Sequence, residues 1–299
     1  MMASAAGSRI REALRPYLFL APAIVVTAAV IIVPALQTLW MSLHDYVLFR
    51  PDDVPFVGLG NFIRAFSDEI FWVSLVNSVI WIVACVGLQF LLGLGTAMLL
   101  NQSFWWRGVA RMLVVIPWAL PSVIIGLMWT WMYDLNLGVL NDMLLRSGLI
   151  TTPVAWLARA DTALPAVVLA LIWQGFPFFA VMILAGLQSI PDEHYEAAEI
   201  DGATRWQQFR FVTLPALAGV IATALLLRII WVANSLDVIL VMTGGGPGFA
   251  THTLPLYAFL KAYSAMEFGY GAALALLLSA LLLVVVAGYV RRTAREGLQ

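Results

Sequence analysis

Two charges stand where charges are costly. Arg228 and Asp237 lie within the apolar run from Leu214 to Thr243, and ionisable groups at such a depth face a bundle interior or a watery cavity. If hydrocarbon begins near Ala218, Arg228 sits about 15 Å in at 1.5 Å per residue, close to the midplane. Nine residues at about 100° each would put Asp237 on the opposite side of a continuous helix, so no intrahelical ion pair is expected. On that helix Trp231 and Ser235 share the face of Arg228, and Asn234 and Asp237 share the other. A buried guanidinium needs a partner, either a group on another helix or a solute in a path, and the sequence leaves both open.

Catalytic chemistry finds little support. His44, His194 and His252 are scattered over loops, with no His/Cys/Glu cluster to serve a membrane-embedded enzyme. Cys85, the single cysteine, excludes an internal disulfide and lies in an apolar run, as a small buried hydrophobe would. The glycine run Gly244-Gly245-Gly246-Pro247-Gly248 lacks a following Lys-Ser or Lys-Thr, so it is a loop and not a phosphate cradle.

The elements that carry these residues are membrane spans. A chain that is 62% hydrophobic and 11% charged, with a mean hydropathy of +0.92, is an integral membrane protein. Apolar runs are expected at Tyr17–Leu43, Phe71–Leu100, Met112–Met132, Ala163–Leu187, Leu214–Thr243 and Phe268–Val290. The first follows Arg9, Arg11 and Arg15 but is longer than a signal-peptide core of about 7 to 15 residues, so it is expected to remain as a helix. The second exceeds a perpendicular span and should tilt or project. Pro117 and Pro121 should kink the third. The stretch 133–162 is too polar to span, although Val139–Leu145 fits a short surface helix. Ten of sixteen Lys and Arg fall in the two termini, the Arg107–Arg111 turn and the loop after the fourth run, which places those parts in the cytoplasm. The resulting organisation is a cytoplasmic segment 1–16, a six-helix membrane domain 17–290 and a cytoplasmic tail 291–299.

The loop 191–215 is the most informative stretch. Pro191 stands at a helix start, with Asp192 and Glu193 in the first turn where the helix dipole favours acids, and Gly202 is placed to end that helix. Thr204 and Gln207 fit a capping box, opening a second helix expected to run to Leu214-Pro215, where the chain turns back into lipid. Two short helices carrying Tyr195, Trp206, Phe209 and Phe211 would stand outside the membrane at a fixed angle. Such a surface suits a groove on a partner; it could also lie on the headgroups.

This stretch, Glu196-Ala197-Ala198, Gly202, Val212 and Leu214-Pro215, resembles the EAA loop of permease subunits of bacterial ABC importers, with valine for the usual isoleucine. Arg228, Trp231, Asn234, Asp237, Thr243 and Gly245-Gly246-Pro247 are similar to the fifth-helix signature of carbohydrate-uptake permeases of the maltose and glycerol-phosphate type. Trp173 to Phe178 and Ala185 to Gln188 match the segment those permeases place before the loop. The resemblance implies an all-α, six-span fold of the type I importer permease, with both termini cytoplasmic. It implies ATPase coupling through Glu196, Ala197, Ala198, Asp201, Gly202, Leu214 and Pro215. Sugar contacts carry over to Gln174, Gly175, Phe178, Trp231 and Asn234. Aromatic faces and amides suit sugar rings and hydroxyls, yet the same residues serve helix packing equally well. Arg228 would also suit an anionic sugar derivative.

The expected protein is thus half of a translocation pathway for a sugar or sugar derivative in the inner membrane. Implied partners are a second homologous permease, two ATP-binding cassette ATPases and an extracytoplasmic binding protein, within the lipid bilayer and without nucleic acid. No cofactor or metal is expected in this chain, since ATP and Mg would reside on the ATPases. The competing class is a self-contained secondary transporter or channel for a small polar solute; no inverted half-repeat is detectable, and such a protein would not need the loop.

Overall fold

The computed structural model describes residues 19–296, with side chains to Arg291. Arg9, Arg11 and Arg15, the proposed segment 1–16 and the last three residues of the proposed tail lie outside the described residues. Among the described residues there are helices and no strands; only isolated bridges occur.

Helix α1 (Phe19–Ser42) is followed by α2 (Gly60–Ser67) and α3 (Glu69–Asn101). Next come α4 (Arg107–Ala119), α5 (Ser122–Met132), α6 (Val139–Arg146) and α7 (Ala160–Leu187). Helix α8 (Asp192–Ile200) leads into α9, which starts at Arg205–Gln208, passes through a π-helical turn at Phe209–Thr213 and continues as Leu214–Asn234. Then follow α10 (Asp237–Met242), α11 (Leu254–Phe259, prolonged by a π turn at Leu260–Ser264) and α12 (Phe268–Glu296). Among the described residues five helices are long and apolar enough to cross a membrane, and six spans result if the bent pair α4–α5 counts as one. In α12 the arginines at 291 and 292 end the apolar run but not the helix.

The residues form two compact units, each with its own contacts. One takes the chain up to Ser67 with Ala258–Leu277; the other takes Asp68–Tyr257 with the chain from Leu278 onward. In the first, the Arg64 guanidinium lies 2.7 Å from the Glu267 carboxylate and over the Tyr270 ring, holding α2 to the start of α12.

The second unit is organised around α7, which is apolar on all sides and buried along most of its length. Helix α3 packs along it more extensively than any other pair. Gly93 permits this approach, because a Cβ there would come within 2.4 Å of the Phe179 Cβ. Small residues serve this purpose between membrane helices, where no hydrophobic force draws apolar faces together.

Three sequence expectations need correction. The third run is not one kinked helix: α4 and α5 meet at 94°. Leu120, which precedes Pro121, is extended at φ −80° and ψ 140°, as the residue before a proline prefers, whereas Pro117 remains inside α4. The second helix of the loop is not a separate short element, because α9 runs on from Arg205 into the membrane span. The π turn explains how it passes Pro215: the Leu214 N–H bonds back to the Phe209 carbonyl, absorbing a residue where the proline offers no donor. The π turn at Ala28–Ile32 stands in the same relation to Pro34, with Val33 N–H on the Ala28 carbonyl. The third correction concerns the fifth run, which breaks at Ser235-Leu236, with Ser235 extended at ψ 121°.

Candidate functional site

That last break decides the geometry of the polar residues. A continuous helix would separate Arg228 from Asp237, but the non-helical Ser235 and Leu236 interrupt the helical register between them, and both line one cavity of about 450 Å³. Gln174 on α7, Trp231 and Asn234 on α9, and Ser122 with Leu120 at the α4–α5 break complete its polar side. Asp237 is therefore not set apart from Arg228 and Trp231, and Asn234, at the end of the continuous part of α9, borders the same cavity. The break at Pro121 contributes directly, since it leaves Ser122 free to meet Gln174, whose Nε2 donates to Ser122 Oγ at 3.2 Å.

Arg228 is buried, and its partner is on another helix. Nε donates to Gln89 Oε1 at 2.6 Å, and Gln89 Nε2 donates in turn to the Leu171 carbonyl at 2.7 Å. The guanidinium lies 6.0 Å from the centre of the Phe178 ring. It forms no ion pair with a carboxylate among the described residues. Gly175 stands against this arrangement: a Cβ there would lie 1.8 Å from Arg228 Nη2 and 2.3 Å from Gln89 Nε2. The absence of a side chain at 175 is thus what lets α3, α7 and α9 share one hydrogen-bonded crossing.

Phe178 does not line the cavity. It is buried behind the wall, with its ring 5.1 Å from that of Trp231 and 5.9 Å from that of Trp118. Of the residues singled out in the sequence, Gln174, Arg228, Trp231, Asn234 and Asp237 line the cavity, and Gly175 and Phe178 support it from behind. Gln89 and Ser122 escaped notice. Gln89 carried a signal, being a long amide near the centre of the run Phe71–Leu100; Ser122 did not, because its role comes from the chain break.

Beyond α10, the glycine-rich loop folds onto a buried histidine. Gly245 adopts φ +97°, and a Cβ there would reach within 2.3 Å of His252 Cδ2. His252 packs edge-on to Phe249, and burial pushes its pKa below the usual value. Thr243, Thr251 and the Gly246 carbonyl close the loop through short hydrogen bonds. Asn77 on α3 donates to the Phe249 carbonyl at 3.1 Å, fastening the loop to the helix bundle.

The second candidate region is the loop that joins α7 to α9. Helix α8 ends in a Schellman pattern, in which Ala203 N–H bonds the Ala198 carbonyl and Gly202 N–H bonds that of Glu199, with Gly202 at φ +77°. The capping box is present: Gln207 N–H donates to Thr204 Oγ1, and Thr204 N–H donates to Gln207 Oε1 at 2.7 Å. Tyr195 Oη and Thr213 Oγ1 lie 3.0 Å apart and tie α8 to the start of α9. Glu196, Ala197, Asp201, Gly202 and Pro215 are exposed, while Ala198 and Leu214 are half-buried. Ile200, Trp206 and Phe211 are also exposed, at 87%, 66% and 68%. Three large apolar side chains projecting from rigid, capped helices form a surface that a partner can cover.

Residues 89–295 match the model of the family described as the binding-protein-dependent transport system inner membrane component. The chain belongs to that family. It is a multi-pass component of the inner membrane and an importer permease, not an ATPase. Among its relatives is the trehalose/maltose transport system permease protein MalF of Thermococcus litoralis, 41% identical over 95% of each chain. The sulfoquinovosyl glycerol transport system permease protein SmoG of Agrobacterium fabrum is 38% identical over 92% of this chain and 88% of its own. A solved bacterial ABC transporter involved in import of the acidic polysaccharide alginate contains a chain of the same fold. Its TM-score is 0.82 at 21% identity, covering 97% of this chain and 99% of that one. This family membership agrees with the importer-permease fold expected from the loop and fifth-helix motifs.

Proposed function

We propose that this chain forms half of a translocation pathway for a sugar or sugar derivative, with the cavity between α7, α9 and α10 on the path. The observation that carries this reading is the composition of that cavity. One amide on α7 and one on α9 face the same space as the Trp231 ring, and its volume lies within the range of about 300–1,000 Å³ usual for small-molecule sites. Amides donate to and accept from hydroxyls, and an indole face stacks on the apolar face of a pyranose. The names of MalF and SmoG, both permeases for glycosides, support the same solute class.

The partners are a second homologous permease, two ATP-binding cassette ATPases that carry ATP and Mg, and an extracytoplasmic binding protein that delivers the solute. The family description favours the last of these, as does the relative solved in complex with an alginate pentasaccharide-bound periplasmic protein. Glu196, Ala197, Ala198, Asp201 and Gly202 dock in an ATPase groove, and Leu214-Pro215 pass the movement into α9. Because α9 is continuous from Arg205 to Asn234, displacement of its outer end moves Arg228, Trp231 and Asn234 with it.

Co-expression with the two ATPases, the second permease and the binding protein tests this. ATP-dependent uptake of a labelled glycoside into proteoliposomes is expected, and a complex that assembles but moves no glycoside with any of its binding protein's ligands would overturn the sugar reading.

A further inference from the structure

Near the coupling loop, a second cavity of about 250 Å³ lies among the end of α3, the first turns of α4 and the last turns of α7. Val114, Val115, Val181 and Leu184 make it apolar, and Arg111 is the charged group in its lining. Arg111 Nη2 donates to the Leu100 carbonyl at 3.3 Å, while its Nε is buried without an acceptor. Arg107, one turn earlier on the same helix, lies on the same side. Neither arginine forms an ion pair among the described residues, and the first turn of α4 holds no acid. Trp105 and Trp106, just before α4, are exposed, as aromatic residues at the level of lipid headgroups are.

We propose that this groove holds one anionic phospholipid, with its phosphate at Arg111 and Arg107 and an acyl chain against Val114, Val115 and Val181. Two guanidinium groups with no carboxylate partner among the described residues, beside an apolar groove, match an amphiphile with one negative end, and basic pockets between membrane helices take anionic headgroups. A solute without a tail would leave the valine wall unfilled. Val181 in its wall is exposed, as are Met112, Leu113 and Ile116 on α4, so an acyl chain would find apolar side chains beyond the groove as well. It also touches Gln188, three residues before the coupling loop begins at Pro191, so the lipid would brace the point at which α7 gives way to α8.

The full chain, purified in non-ionic detergent, is titrated with phosphatidylglycerol or with phosphatidylcholine of matched chains, and retained lipid is counted by native mass spectrometry. One phosphatidylglycerol per chain is expected, with about fivefold preference from each arginine and so roughly 25-fold over phosphatidylcholine. The double variant Arg107→Gln/Arg111→Gln should bring the two lipids to parity, and Arg146→Gln on α6 should change nothing. Ala185→Phe, which fills the groove and leaves both charges in place, should abolish retention, and it serves if the double variant does not fold. Equal retention of both lipids by the wild type, or unchanged retention by both test variants, would overturn the proposal. So would phosphatidylglycerol that is held by the isolated chain but absent from the complex with its partner permease, since the groove would then be a subunit interface.

Discussion

Arg228 Nε donates to Gln89 Oε1 at 2.6 Å, joining two helices through residues 139 apart in sequence. This single bond joins the wall of the proposed path to the most extensive helix pairing in the second unit, through the Gln89 bond to Leu171 on α7. A buried guanidinium is stabilised here by a neutral amide and an aromatic face, so its charge stays available to the cavity it lines. Two substitutions test the arrangement. Gln89→Leu keeps the volume and removes the acceptor, with an expected loss of about 1.5–3 kcal/mol, typical for a hydrogen bond to a charged group. Gly175→Ala inserts a methyl group that Arg228 and Gln89 cannot both accommodate, with an expected cost of about 1–3 kcal/mol from overpacking. Thermal unfolding in detergent reads both, and an unchanged midpoint in each would show that the crossing does not contribute to stability.

Alanine at Gln174, Trp231 or Asn234 should reduce uptake while leaving expression and assembly intact, because these side chains line the cavity. Phe178→Ala should differ in kind. Its ring supports Trp231 and Trp118 from behind, so a drop in thermal stability should accompany the loss of uptake. Normal transport by all four variants at wild-type levels would remove the cavity from the path.

Coupling should fail without loss of insertion when the loop is altered. Gly202→Val forces a β-branched residue into φ +77°, at a cost of roughly 1–2 kcal/mol, and redirects the chain between α8 and α9. Glu196→Lys reverses an exposed charge on the surface proposed to meet the ATPase. Both variants should reach the membrane, co-purify less ATPase and lose stimulated ATP hydrolysis together with uptake. Retained coupling in both would mean that another element transmits the movement.

His252 gives the protein an acid sensitivity of known sign. Burial lowers its folded pKa below 6.5, so the unfolded chain binds the proton first as pH falls. The stability contribution is complete above the unfolded value and is lost as pH drops through it toward the folded value. Thermal midpoints should therefore fall between pH 7 and pH 5, and His252→Gln should flatten that part of the profile. An equally steep profile in the variant would assign the sensitivity elsewhere.

Local chemistry was legible in the sequence, and tertiary consequences were not. The left-handed Gly202, the capping box at Thr204 and the short helix from Val139 depend on neighbours within a few residues, and each is found where the residue pattern placed it. The proline at 121 announced a disturbance but not its size, because a kink and a 94° corner begin from the same missing donor. Nothing in Ser235-Leu236 marks a helix break, and on an unbroken helix the nine-residue spacing sets Asp237 apart from Arg228. Gln89 stood out only as an amide in an apolar run; that it receives Arg228 follows from α3 and α9 meeting on α7, which spacing along the chain does not encode.

The most direct test of the importer reading is uptake by proteoliposomes under four conditions: this chain alone, the complex without ATP, the complete complex with ATP and binding protein, and that complex carrying Gly202→Val. Accumulation of glycoside is expected only in the complete wild-type complex. Solute movement by this chain alone, or undiminished accumulation without ATP, would contradict it and place the protein among self-contained transporters.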